Sequence, residues 1–177
     1  MNEHSQRRWG MIADDVTGAC DAGVVLAKRG VATTVVLDVA RSPAPGAGLT
    51  VLCTNTRSLE PHEAATRAGE AFVWLKRQRV RLIYKKIDST CKGHVGVELN
   101  ALLRRGEWDV ATVMPAFPAM GRIVLNGWLR WHDGTNMRSV HLPTLLAEQG
   151  VYRARARGRP GRVRGRHGTA GEQRCSA

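Results

Sequence analysis

The chain has 177 residues, 43% of them apolar, and a formal net charge of +12, which is enough for one globular domain with an ordinary core. No segment has the length and apolar content of a signal peptide or a transmembrane helix, so we expect a cytoplasmic protein without a membrane anchor. The four cysteines show neither CxxC spacing nor paired histidines. This argues against structural zinc and fits a reducing compartment.

Most of the positive charge lies at the end of the chain. Residues 151–177 hold 8 Arg against one Glu, whereas residues 1–150 hold 19 Lys and Arg against 14 Asp and Glu. This basic tail has almost no aliphatic residues and no periodicity, so we predict that it is disordered. It is either a basic arm that meets phosphate backbones or, as we favour, the out-of-frame product of a GC-rich gene. We therefore expect no nucleic-acid partner.

The first 125 residues alternate between predicted strands and helices. Helix and strand periodicities predict strands over 9–13, 33–37, 49–53, 81–84 and 110–114, and helices over 17–29, 60–78 and 95–104. Gly30 and Gly106 are predicted to stop the first and third helices. Strands that alternate with helices predict an α/β fold with a Rossmann-like, doubly wound, mostly parallel sheet.

The pattern changes after residue 121. Apolar runs over 123–125 and 128–131 flank Asn126-Gly127, where both residues accept positive φ, which predicts a small β-hairpin attached to the α/β core. A short helix over 142–149 is predicted to end the ordered body. The predicted domain therefore spans residues 1–150, followed by the basic tail.

Polar side chains follow four of the predicted strands, in loops over 14–18, 55–58, 85–90 and 121–122. Because the carboxyl ends of parallel strands share one edge of a sheet, we predict that these loops form one crevice. The most informative loop carries two lysines, a carboxylate and two hydroxyls, which suits a small, negatively charged, polyhydroxylated ligand. The alternative is structural: Ser89 and Thr90 cap the next helix, the lysines are solvated, and Asp14 and Asp15 begin the first helix.

These residue types fit phosphoryl transfer to a hydroxyl group. An aspartate can accept the hydroxyl proton, while Lys and Arg hold a carboxylate and offset developing phosphate charge. The usual nucleotide motifs are missing, because neither GxxxxGK[ST] nor GxGxxG follows a predicted strand. The adjacent aspartates also lack the Asp-x-Asp spacing of aspartate-nucleophile phosphatases.

Four motifs together resemble one known family. IADDVTGACDAGVVLAKRG, TNTRSL, YKKIDSTCKGHVGVEL and MPAFPAMGR are similar, in register from about residue 9 to 150, to the N-terminal domain of the four-carbon acid sugar kinases. The resemblance implies phosphorylation of the terminal hydroxyl of threonate, erythronate or 3-oxo-tetronate by ATP with Mg²⁺. It also implies that this domain holds the sugar acid while a separate C-terminal domain binds the nucleotide.

The resemblance also carries the family's site residues onto this chain. The candidates for hydroxyl contacts and for the catalytic base are Asp14, Asp15 and Asp88, with no choice among them. The predicted substrate-binding residues are Arg57, Lys86, Ser89, Thr90, Gly121 and Arg122, and their three cations are expected near the substrate carboxylate and the phosphate. No metal ligand is assigned. Cys91 and His94 depart from the residues usual in the family.

The resemblance stops near Gly150, where a family member continues into its nucleotide-binding domain. We therefore expect a truncated or frameshifted chain that is inactive alone, or one that works with a separate nucleotide-binding domain. The alternative is a stand-alone module that binds a sugar acid, or nucleic acid through the basic tail.

Overall fold

A computed structural model describes residues 8–40, 46, 48–80 and 82–151. The predicted disordered tail lies outside the described residues, apart from Val151, and so does most of the loop predicted over 41–48. In the part of the chain that the structure describes, no helix is both long and apolar enough to cross a membrane.

Four parallel strands form the main sheet, in the spatial order β2-β3-β1-β4. They are β1 (Arg8–Ala13), β2 (Thr33–Val36), β3 (Gly48–Cys53) and β4 (Leu82–Lys86). The four predictions for this sheet were correct to within two residues at each end. The important difference is at β4, which continues through Lys85 and Lys86 because these residues pair with Ile12 and Ala13 of β1.

Helices cover both faces of this sheet, as a doubly wound fold requires. They are α1 (Val16–Ala27) on one face, with α2 (Pro61–Arg77) and α3 (Val95–Gly106) on the other. Alternate residues of each strand belong to two different hydrophobic cores, because successive side chains point to opposite faces of the sheet. Ala13 and Val51 pack with Ala19 of α1, whereas the α2–α3 side buries Ile12, Leu52, Phe72, Leu75 and Leu102. The predicted α/β fold is confirmed.

A second, antiparallel sheet follows, made of β5 (Ile123–Leu125), β6 (Trp128–His132) and β7 (Met137–His141), and α4 (Leu142–Glu148) comes next. Asn126 and Gly127 take φ values of 49° and 80° in the turn between β5 and β6, so the predicted hairpin is confirmed. The sequence did not predict β7, because MRSVH lacks a clear apolar alternation. This sheet and α4 share a third core with α3, built from Cys91, Val95, Leu129, Leu142 and Leu146.

Two local predictions were wrong. The apolar run over 110–114 forms no strand, and Val110 and Met114 are 81% and 75% exposed. Apolar composition alone does not make a strand, because a strand also needs a hydrogen-bonded neighbour, and no described strand pairs with this run. Gly106 is the last residue of α3 rather than its stop; Glu107 takes the left-handed φ of 53° instead.

Candidate functional site

Three strand ends meet at one edge of the main sheet. β1 lies between β3 and β4, and Ala13 at its end pairs with both Cys53 and Lys86. The three strands therefore end at the same level, and the loops that follow them are neighbours. Ligands of open α/β sheets bind at this edge, where successive connections leave in opposite directions.

Arg57, which follows β3, joins the aspartates of the other two loops. Its Nε donates to Asp14 Oδ2 at 2.9 Å and its Nη1 to Asp15 Oδ2 at 2.9 Å, while Nη2 lies 3.8 Å from Asp88 Oδ2. We call these four residues the strand-end cluster. Burial acts to lower the pKa of Arg57, but the hydrogen bond to Asp14 and the three negative charges outweigh it and raise that pKa. Arg57 is therefore permanently charged.

Asp14 is the most buried member of the strand-end cluster, with 4% of its surface exposed. Its Oδ2 is held by Arg57, but its Oδ1 is buried and has no hydrogen-bond partner. Its backbone carbonyl also accepts hydrogen bonds from Thr56 N at 2.9 Å and Arg57 N at 3.3 Å, which fixes the β3 loop against β1. A buried carboxylate oxygen without a donor is costly, so Oδ1 is an unsatisfied acceptor within the strand-end cluster.

Asp15 combines a structural role with its place in the strand-end cluster. Its Oδ1 accepts a hydrogen bond of 2.8 Å from Gly18 N and so caps α1, while its Oδ2 faces Arg57. The capping alternative is therefore correct for Asp15. Both of its oxygens already have partners, which distinguishes it from Asp14.

Asp88 is held by its own loop. Its Oδ1 accepts from Thr90 N at 3.0 Å, Thr90 Oγ1 at 2.5 Å and Lys92 N at 3.2 Å. Burial opposes ionisation of Asp88, yet these hydrogen bonds and the Arg57 charge outweigh burial and lower its pKa. A carboxylate with a lowered pKa is a weak proton acceptor. Capping by Ser89 or Thr90 is wrong, because α3 begins at Val95 and neither side chain bonds to its first turn.

The two consecutive lysines of β4 point to opposite faces of the sheet. Lys85 faces α3, where its Nζ lies 2.6 Å from Glu98 Oε2. Lys86 faces α1: its Nζ donates to Ile87 O at 2.7 Å and would lie 3.6 Å from a Cβ placed on Gly18. Both side chains are only partly exposed, so the alternative of two solvated lysines is wrong. Lys86 therefore lies near the first turn of α1, beside the strand-end cluster.

The fourth predicted loop stands apart from the other three. Gly121 has a φ of 67° and Arg122 pairs with Phe117. The Nη1 of Arg122 donates to Met120 O, and its Nε is buried without a partner. Within the described residues, no hydrogen bond or ion pair joins Arg122 to the strand-end cluster. Site roles for Gly121, Arg122 and the half-buried Ser89 stay predictions.

A buried polar chain beneath the strand-end cluster was not predicted from the sequence. Thr54 Oγ1 donates to Ala13 O at 3.0 Å and lies 2.9 Å from Thr56 Oγ1, which donates to Glu98 Oε1 at 2.5 Å. Glu98 is 1% exposed. The sequence does contain a signal for the burial of Glu98. It lies three residues after Val95 and four before Leu102, and this spacing places all three on one face of a helix.

The strand-end cluster does not have the arrangement of a metal site. Among residues 8–40, 46, 48–80 and 82–151, no group of three or more His, Cys, Asp or Glu side chains is arranged to hold a metal ion. The carboxylates of the strand-end cluster are drawn together by a guanidinium, which occupies the position that a cation would need. The described residues of the strand-end cluster therefore do not fit Mg²⁺.

Comparison with known proteins identifies the family of the chain. Residues 9–159 match the model of a family described as sugar-binding N-terminal domain. A D-threonate kinase of Salmonella typhimurium is 39% identical over 118 residues, which is 66% of this chain and 28% of that protein. A D-erythronate kinase of Heliobacterium modesticaldum is 36% identical over 127 residues (70% and 29%). A 3-oxo-tetronate kinase of Escherichia coli is 32% identical over 161 residues (81% and 42%).

Solved structures show the same fold. A domain of unknown function from Bordetella bronchiseptica, crystallised with bound citrate as a domain-swapped dimer, superposes with a TM-score of 0.70 at 31% identity, covering 80% of this chain and 40% of that one. A Salmonella typhimurium protein described as a putative tRNA synthase also gives a TM-score of 0.70 at 31% identity, covering 79% and 38%.

The fold and the site together define a ligand-binding α/β domain whose polar groups meet at the ends of parallel strands. The chain belongs to the family of sugar-binding N-terminal domains. The predicted resemblance is confirmed, and the family match runs to residue 159, past the boundary predicted near Gly150. The chain spans between 28% and 42% of the length of the three kinases compared above.

Proposed function

We propose that this domain binds a four-carbon sugar acid for an ATP-dependent kinase that phosphorylates the acid's terminal hydroxyl. Threonate, erythronate and 3-oxo-tetronate are the candidate substrates, because the similar kinases act on D-threonate, D-erythronate and 3-oxo-tetronate. The observation that carries the proposal is the unpaired, buried Oδ1 of Asp14 at the shared edge of three parallel strands. A hydroxyl donor would satisfy that oxygen.

The geometry favours Asp14 over the other two aspartates as the group that takes the hydroxyl proton. Both oxygens of Asp15 are used, one by Gly18 N and one by Arg57. Asp88 accepts three hydrogen bonds on one oxygen and has a lowered pKa, so it suits orientation better than proton transfer. Asp14 retains an oxygen without a hydrogen-bond partner, and a proton acceptor needs such an oxygen within hydrogen-bond reach of the hydroxyl.

Arg57 is better suited to holding the aspartates than to holding the substrate carboxylate. One guanidinium stands among three carboxylates, which leaves a formal excess of negative charge when all of them are ionised. A substrate carboxylate placed there would be repelled. In this proposal the carboxylate lies instead toward Lys86, beside the loop that carries Ser89 and Thr90, while substrate contacts of Gly121 and Arg122 stay predictions.

The phosphoryl donor binds elsewhere in this proposal. The described residues offer no arrangement for a metal ion, and the loops after β1, β3 and β4 are not glycine-rich phosphate loops. ATP and Mg²⁺ would therefore belong to a nucleotide-binding domain, in the part of the similar kinases that this chain does not span. A cytoplasmic location is part of the proposal, and the free thiols of Cys20, Cys53 and Cys91 support it.

A structural relative supports an acidic ligand. The similar Bordetella bronchiseptica protein was crystallised with citrate, a carboxylic acid that also carries a hydroxyl group. Citrate and a four-carbon sugar acid share the two groups that the loops after β1 and β4 are proposed to recognise: a carboxylate for cations and a hydroxyl for Asp14.

Isothermal calorimetry without nucleotide tests the proposal. The ligands are D-threonate and D-erythronate, and the controls are threitol and erythritol, which keep the hydroxyls but lack the carboxylate. We expect the acids to bind and the neutral polyols to bind far more weakly. Asp14→Asn should abolish measurable binding, whereas Asp21→Asn, at an exposed position of α1, should leave it unchanged. Equal binding by wild type and the Asp14 variant would refute the site.

A further inference from the structure

We propose that Glu98, paired with Lys85, is a positioning residue that sets the strand-end cluster through Thr56. Neither residue belongs to that cluster, and neither is proposed to touch the sugar acid. The inference rests on the proposed function for its binding measurement, but its geometry and its spectroscopic test are independent of any ligand.

A continuous series of contacts links α3 to the strand-end cluster. Glu98 Oε1 accepts a 2.5 Å hydrogen bond from Thr56 Oγ1, and the next residue in the chain is Arg57. Thr56 N and Arg57 N both donate to the backbone carbonyl of Asp14, at 2.9 and 3.3 Å. Thr56 is therefore fixed from both sides, by α3 through its hydroxyl and by β1 through its backbone. Its position determines where the Arg57 side chain begins.

Lys85 supplies the charge that keeps Glu98 in place. Its Nζ lies 2.6 Å from Glu98 Oε2 and donates to Lys86 O at 3.0 Å. Oε2 accepts no well-aligned hydrogen bond. Only the positive charge of the Lys85 ammonium therefore offsets the cost of burying this oxygen. The side chains of Lys85 and Glu98 are 10% and 1% exposed. Replacing such a pair by apolar residues is often neutral or stabilising, so a buried pair is weak evidence of a stability role.

The location of the pair is what indicates positioning. Lys85 immediately precedes Lys86 on β4, and Thr56 immediately precedes Arg57 after β3. The Lys85–Glu98 pair thus fixes Lys85 and Thr56, which directly precede the cations Lys86 and Arg57 in the chain. Arg57 must direct three N–H groups at three carboxylates, and a small shift of its backbone would misalign all of them.

The test uses variants that separate the hydrogen bond from the packing of α3. Thr56→Val removes the hydroxyl and keeps the ion pair, whereas Glu98→Ala removes both. The double variant Glu98→Gln with Lys85→Met keeps an acceptor for Thr56 and leaves no unpaired charge. Leu102→Ala is the matched control, because Leu102 is buried on the same helix but packs in the α2–α3 core.

The first readout needs no ligand: the ¹H–¹⁵N signal of the Arg57 side-chain Nε–H, assigned by its loss in Arg57→Lys. We expect this signal to shift or broaden in Thr56→Val and Glu98→Ala, and to stay in place in the double variant and in Leu102→Ala. An unchanged signal in Thr56→Val and Glu98→Ala, or an equal change in Leu102→Ala, would overturn the positioning role.

The second readout is the dissociation constant for D-threonate and D-erythronate, measured well below each variant's melting temperature. Loss of a hydrogen bond to a charged group predicts binding that is about ten- to a hundredfold weaker in Thr56→Val and Glu98→Ala. The double variant and Leu102→Ala should bind like the wild type. If the wild type binds neither acid, the proposed function fails while the Arg57 signal still decides the positioning role. If it binds and Thr56→Val binds equally well, the positioning role fails alone.

Discussion

Replacing Arg57 by methionine removes the guanidinium whose three nitrogens each lie within 4 Å of a carboxylate oxygen. Breaking one partner of a buried ion pair costs about 3–5 kcal/mol. The side chains of Arg57, Asp15 and Asp88 are 27%, 21% and 20% exposed, while that of Asp14 is 6% exposed, so we take the lower end, about 3 kcal/mol. At about 2–4 °C per kcal/mol for a domain of this size, the melting temperature should fall by about 6–12 °C at pH 7.

The loss should depend on pH because it comes from ionised carboxylates. The pKa of Asp88 is lowered in the folded state, so its ionised form contributes stability that is complete above its ordinary pKa of about 4. That contribution is lost as the pH falls through the lowered folded pKa. Without Arg57 one cause of the lowering is gone, so the difference in melting temperature should be largest at neutral pH and shrink below about pH 4.

Differential scanning calorimetry of wild type and Arg57→Met from pH 7 to pH 3 measures this effect. The matched control is Arg67→Met, which breaks an exposed ion pair with Glu63 on α2 and should change stability by no more than about 1 kcal/mol at any of these pH values. A pH-independent difference for Arg57→Met, or an equal loss for Arg67→Met, would show that the carboxylates do not depend on the guanidinium.

Three further outcomes are expected. Thr90→Val removes the hydroxyl donor to Asp88, so an NMR titration should show the pKa of Asp88 rising toward its ordinary value; an unchanged titration would contradict the hydrogen bond. Gly93→Ala should destabilise the fold by about 1–3 kcal/mol, because Gly93 has a φ of 84° and a Cβ there would lie 3.3 Å from the arginine of the strand-end cluster. Gly30→Ala, with a φ of 82° and open space, should cost less in the same thermal melts. Burial raises the pKa of the Cys91 thiol to about 11, so iodoacetamide at pH 8 should label it in unfolded but not in native protein; rapid native labelling, seen by mass spectrometry, would refute this.

The main sheet was predictable because its signals are local. Each parallel strand is a short apolar run that ends at a polar loop, and each helix shows apolar spacing that a nearby Gly or Pro delimits. The convergence of Asp14, Arg57 and Asp88 also followed from the sequence, since parallel strands end at one edge. The ion pairs between Arg57 and the three aspartates were not predicted, because Arg57 was expected near the substrate carboxylate.

Other features depend on pairing and burial, which the sequence does not display. The run over 110–114 has the composition of a strand, but a strand also needs a free neighbouring edge in the correct register. β7 has little alternation, and its pairing with β6 defines it. Lys85 and Lys86 look equivalent in sequence, and only the end point of β4 shows that one faces Glu98 and the other faces α1.

The sequence alone could not show which of the three aspartates is the best candidate for the catalytic base. Asp14, Asp15 and Asp88 are the same residue type in similar loops, and they differ in burial and in which oxygens already have partners. The structure distinguishes them through the cap of α1, the turn around Thr90 and the free Oδ1 of Asp14.

The most direct test of the central claim is a ¹H–¹⁵N chemical-shift titration of the 177-residue chain with D-threonate and D-erythronate. We predict that one of the acids perturbs amides in the three loops that follow β1, β3 and β4, with saturation, and that Asp14→Asn removes the perturbation. Shifts confined to the antiparallel sheet of β5, β6 and β7, or none at all with either acid, would contradict a sugar-acid site at the strand ends.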